Sequence, residues 1–139
     1  MTTTDPERDA LLREAAARAL AFLDELPERP VAPRVDLAAL RGALGGELAD
    51  DGIAAAEVLA HLDDLARPAL MANAGPRFFG FVIGGAQPVS VAADWLVSAW
   101  DQNAGLAVLS PAVAVIEETA ARWVLSLLGL PRTASVGFV

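Results

Sequence analysis

A mainly α-helical fold is what this sequence predicts, and three observations carry the expectation. Hydrophobic residues make up 55 % of the 139, and much of the excess is Ala, the strongest helix former. Apolar residues recur at spacings of three and four through several long stretches. Pro and Gly fall where such stretches begin and stop.

The first helix opens at "DPERDALL", with Asp5 as N-cap and Pro6 at its first position. Leu11, Ala15, Ala19, Phe22 and Leu26 form its apolar stripe, and Pro27 stops it. "PERPVAPRV" follows with three prolines, which fix φ and push their predecessors out of the α region, so an extended arm is expected near residues 27–35. A short helix capped by Asp36 ends at Gly45 and Gly46. The next, in "GIAAAEVLAHLDDLARPALMA", places Ile53, Val58, Leu62, Leu65 and Leu70 broadly on one side, with His61 inside it. "PVSVAADWLVSAWDQN" starts at Pro88 with Ala92, Leu96, Ala99 and Trp100 as its stripe. In "SPAVAVIEETAARWVLSLLGLP", Ser110 caps, Pro111 leads, and Val113, Ile116, Ala120, Trp123 and Leu127 share a face. Glu118 and Arg122 are spaced to pair, and Gly129 with Pro131 end the helix. "ASVGFV" reads as the start of a strand, and a chain closing on an apolar strand is expected to be cut within a larger fold.

Between these helices lies "AGPRFFGFVIGGAQPVSVAADWL", residues 74–96, with one Arg and one Asp among 21 uncharged residues. Its length suits a membrane span, but Gly84, Gly85, Gln87 and Pro88 interrupt it, and Asp94 near a bilayer centre costs about 3 kcal/mol. Split at the glycines, it becomes an irregular aromatic segment, residues 73–85, feeding a helix. Such a segment is either plain core, the commoner outcome, or pocket lining. Phe78, Phe79 and Phe81 have no assured cover within the chain, so an open, partner-seeking arrangement of helices is expected.

The composition excludes several functions. A net charge of −8 disfavours nucleic acid and anionic membranes as partners. There is no Cys for a disulfide, thiolate site or nucleophile, and a single His cannot build a multi-histidine metal site. All ten basic residues are Arg, so no side-chain amine exists for a Schiff base. The N-terminus has no signal-peptide pattern, and a cytoplasmic location is expected. No catalytic or metal constellation emerges: "GGELADDG" lacks calcium-loop spacing, Asp94 and Asp101 read as capping or solvated carboxylates, and "GFVIGG" is no dinucleotide fingerprint.

The succession "GPRFFGFVIGG", "ADWLVSAWDQNAG", "LSPAVAVIEETAARWVLSLLGLP" and "GFV" resembles the N-terminal part of the pyridoxal-phosphate-dependent group II amino acid decarboxylases. The resemblance runs from about residue 5 to the end and is most specific from Pro76 to Val139. It implies residues 1–72 as dimerisation helices and arm, wrapped around a second subunit in a homodimer. Residues 73–139 are then the start, through a first strand, of a type I transferase large domain, α/β when complete. It further implies that Phe81, Val82, Ile83 and Gly84 line a substrate side-chain pocket, and that Gln102, Asn103, Ala104 and Gly105 reach a pocket across the dimer. The resemblance likewise implies an amino acid substrate and pyridoxal phosphate as cofactor in the complete enzyme. The family's phosphate loop, pyridine-pairing aspartate, stacking histidine and lysine would all follow Val139. The chain alone is therefore expected to be inactive; the alternative is a helical interaction module without catalysis. Gly75-Pro76 stands where the family more often has His-Pro, and Val82 and Gly105 replace aromatic residues of aromatic-specific members, which weighs against an aromatic substrate.

Overall fold

The computed structural model describes residues 5–46 and 50–138. Five α-helices run in order: α1 (Pro6–Glu25), α2 (Leu37–Leu44), α3 (Ala55–Ala66), α4 (Pro88–Trp100) and α5 (Pro111–Leu127), with a 3₁₀ turn (Arg67–Ala69) directly after α3. Among the described residues no helix is long and apolar enough to cross a membrane. The chain divides into two compact units, one ending at Ala86 and one beginning at Gln87.

In the first unit the helix starts are local events. The Asp5 carboxylate accepts the Arg8 N–H at 3.1 Å, and that of Asp36 accepts the Ala38 N–H at 2.8 Å. α1 ends at Glu25, but the arm does not begin at once. The N–H groups of Glu28 and Arg29 both donate to the Glu25 carbonyl, at 3.0 and 2.9 Å, so irregular backbone starts only at Pro30. α3 tightens into its 3₁₀ turn at Pro68, which has no N–H for an α-helical bond.

α3 packs against α1 and α2. On α1 the expected stripe is the more covered side: Leu11, Ala15, Ala19 and Phe22 are half-buried and Leu26 is buried. On α3 it is not. Ile53 before it and Val58, Leu62 and Leu65 on it are exposed, while Leu59, Ala60, Asp63 and Ala66 are the covered positions. Ion pairs account for this rotation. The Arg18 guanidinium on α1 reaches Asp63 at 3.0 Å and Asp64 at 2.9 Å on α3, and also Glu14 at 2.8 Å. These bonds, from Asp64 first and then Asp63, push the Arg18 pKa further above its usual value, so the guanidinium stays charged at every accessible pH.

The buried centre of this unit is small. Leu26 and Ala72, at 7 % and 1 % exposure, belong to it, and the Ala72 N–H donates to the Val31 carbonyl at 3.1 Å. Gly75 lies against both: a Cβ there would sit 2.9 Å from the Leu26 carbonyl oxygen and 3.1 Å from that of Ala72. No side chain fits without displacing backbone, which gives the glycine before Pro76 a local reason.

In the second unit α4 opens on Pro88 and closes on Asp101, which takes a left-handed conformation at φ 48°. Asp101 is thus a C-cap and leaves the helix face that Asp94 occupies. α5 ends in a Schellman turn: Gly129 has φ 65°, its N–H bonds the Ser126 carbonyl at 3.2 Å, and the Leu130 N–H bonds that of Leu125 at 2.9 Å. The covered side of α5 carries Ala114, Glu117, Ala121, Val124 and Leu125; of the expected stripe, Val113 and Ala120 are half-buried, whereas Ile116, Trp123 and Leu127 are exposed. Arg122 donates to the Thr119 hydroxyl at 3.1 Å rather than pairing with Glu118. The expected terminal strand is not formed among the described residues. Residues 134–138 have no ladder partner to receive their backbone groups, and Val139 lies outside the described residues.

Candidate functional site

The aromatic segment after α3 folds over an apolar recess of about 350 Å³ in the first unit. Phe22 enters it from α1, Leu70, Met71 and Asn73 from the irregular backbone after the 3₁₀ turn, and Phe78, Phe81 and Ile83 from the segment itself. Of the residues singled out from sequence, Phe81 and Ile83 therefore border this recess. Val82 and Gly84 do not; both are exposed.

The reason is a tight turn. The Ile83 N–H bonds the Gly80 carbonyl at 3.3 Å, and both intervening residues have positive φ, 57° at Phe81 and 54° at Val82. This is the φ signature of a type I′ turn, a conformation dominated by Asn and Gly. Here it carries a phenylalanine and a β-branched valine, for which the left-handed region is a real outlier. Two adjacent strained residues mark this as a segment held by something other than local preference. Of the three rings expected to lack cover within the chain, Phe79 and Phe81 stand 92 % and 82 % exposed, whereas Phe78 is half-buried against the recess.

Arginines that sequence reading passed over brace the recess from behind. The guanidinium carbons of Arg29 and Arg67 stand 5.0 and 5.9 Å from the Phe22 ring centroid. Arg67 pairs with Glu25 at 2.8 Å, and Arg29 bonds the Arg67 carbonyl. Arg77 bonds the Arg29 carbonyl at 2.8 Å, tying the aromatic segment to the end of α1. These contacts join residues 38–48 positions apart, and no local pattern announces them.

The other group of expected site residues lies in the second unit, on the loop between α4 and α5. Gln102 is engaged at both ends of its amide: the nitrogen donates to the Trp100 carbonyl at 2.7 Å, and the oxygen accepts the Ser110 hydroxyl at 3.2 Å. The Asn103 side-chain oxygen accepts the Gly105 N–H at 2.9 Å. Ser110 holds the N-cap position of α5 but its side chain does not cap the helix, and at 1 % exposure it is the buried polar residue of the described chain. His61 is exposed, with Glu57 at 3.9 Å. Among the described residues no three metal-ligating side chains converge.

A known structure shares this arrangement of helices and loops. The chain has the fold of a segment of Oryza sativa TDC. That protein, a plant tryptophan decarboxylase, was crystallised with PLP and tryptamine. The superposition has a TM-score of 0.79 at 21 % identity, covering 94 % of this chain and 27 % of TDC. No protein-family model and no curated protein matches the sequence.

PLP, the group bound to TDC, does not fit the recess described above. The sequence has no Lys to receive its aldehyde, and the recess offers one amide, Asn73, among apolar side chains, with no cation or ring of donors for a phosphate. What the recess can do is receive an apolar group.

Proposed function

We propose that this chain is the N-terminal part of a pyridoxal-phosphate-dependent amino acid decarboxylase. Its share is structural: residues 1–72 form the dimerisation helices and arm of a homodimer, residues 73–139 begin the large domain, and Phe81–Gly84 with Gln102–Gly105 supply substrate-pocket wall. The observation that carries this reading is the match to TDC along 94 % of the chain, at a level where the fold is alike though the sequence is 21 % identical. The exposed apolar positions on α3 and α5 support it as well, since they need a partner or the rest of a domain to cover them. In this reading the cofactor supplies the electron sink for loss of carbon dioxide, and its ligands come from residues that this chain lacks. The 139-residue chain alone neither holds the cofactor nor decarboxylates.

The same exposed positions favour a second reading, a helical interaction module that keeps the dimerisation part of such an enzyme without its chemistry. Reading the coding sequence downstream of Val139 separates the two. An in-frame phosphate loop followed by a His-Lys pair establishes the enzyme; a stop codon there favours the module.

A further inference from the structure

We infer that Ser110 is a positioning residue, which acts through Gln102 to set the conformation in which Asn103–Gly105 is presented. The inference deepens the pocket-wall reading above and rests on it for its functional meaning. A serine at an N-cap ordinarily accepts an N–H from the first turn of its helix. Ser110 forgoes that bond and turns its hydroxyl to Gln102 Oε1, 3.2 Å away. At 1 % exposure no bulk water can replace this partner, so losing it leaves a buried polar group unsatisfied. The Gln102 nitrogen meets the Trp100 carbonyl at 2.7 Å, one of the last carbonyls of α4, which have no intrahelical donor. A carbonyl only accepts, so the amide has one workable orientation, nitrogen toward Trp100 and oxygen toward Ser110. A single side chain thereby ties the end of α4 to the start of α5.

What lies between follows from that tie. Asp101, left-handed at φ 48°, reverses the chain, and Asn103 closes on the Gly105 N–H at 2.9 Å. A Cβ at Gly105 would stand 3.1 Å from the Asn103 side-chain oxygen, a close approach at this turn. Both polar ends of Gln102 are engaged within the loop, which leaves Asn103, Ala104 and Gly105 as the residues that the loop presents. Gln102 belongs to the support of a pocket wall, and its neighbours to the wall.

The test uses the full 139-residue chain, isotope-labelled, as Ser110→Ala and Gln102→Met, the latter keeping side-chain length while removing both hydrogen bonds. Backbone order parameters of residues 103–105 are expected to fall in both variants from about 0.85, the rigid range, to below about 0.6. In S110A the Gln102 side-chain amide resonances shift as well, while α1 and α3 amides stay in place. If S110A loses α5 altogether, Q102M decides, because its exposed side chain carries no core. A 103–105 loop that stays ordered in Q102M overturns the inference. Its failure leaves the coding-sequence test of the proposed function untouched, and a stop codon after Val139 with a loosened loop keeps the latch while removing the pocket.

Discussion

Replacing Val82 by glycine is expected to stabilise the protein, although the same change almost anywhere else in an ordered element would weaken it. Val82 is 108 % exposed, so its removal uncovers no apolar contact. Its φ of 54° places a β-branched side chain in the left-handed region, at a cost of about 1–2 kcal/mol that glycine does not incur. Against this stands the greater freedom of glycine in the unfolded chain, about 0.5–1 kcal/mol. The balance is a gain of about 0.5–1 kcal/mol, a rise in Tm of about 2–6 °C for a chain of this size. Thermal and urea unfolding of V82G beside V82A measure it, because alanine removes the branch but keeps a Cβ at positive φ. A lower midpoint for V82G, or an equal gain for V82A, would refute the strained turn.

Three further outcomes follow from the same geometry. Gly75→Ala pushes a methyl to 2.9 Å from the Leu26 carbonyl oxygen and is expected to cost about 1–3 kcal/mol in urea unfolding, with the far-UV helix signal losing cooperativity. Arg67→Met removes the Glu25 and Asp63 pairs but keeps an apolar stem near Phe22, so it is expected to cost about 1–2 kcal/mol, and the difference from the parent should shrink in high salt. The purified chain mixed with pyridoxal phosphate should give no stoichiometric absorbance band that borohydride fixes to an internal residue, since it has no Lys.

The helix boundaries were legible because their causes are local. Asp5, Asp36, Pro88, Pro111 and Gly129 act on backbone groups within a few residues, and all five stand where the pattern placed them. A cap or a proline needs no knowledge of the rest of the fold. The identity of the covered face was not legible in the same way. An apolar stripe says which side of a helix gains by burial, and the chain can satisfy that gain only where another element lies. On α3 the Arg18 pairs with Asp63 and Asp64, some 45 residues apart in sequence, turned a different side inward. On α5 the large members of the stripe, Ile116, Trp123 and Leu127, are left exposed, while Val113 and Ala120 are half-buried.

The candidate site divides along the same line. The sequence by itself marked Phe81–Gly84 and Gln102–Gly105, because glycines, aromatics and amides between helices are visible as composition. Only the tertiary structure decided that Phe81 and Ile83 border a recess while Val82 points away, since a turn with two positive φ values alternates its side chains in a way no propensity foretells. It alone decided that Ser110 serves Gln102 instead of its own helix: an N-cap serine is legible from sequence, but the loop between α4 and α5 brings Gln102 within 3.2 Å of the hydroxyl. The terminal strand marks the boundary between the two kinds of knowledge. Its residues have the composition of a strand, but a strand is a relation between two segments, and composition describes only one.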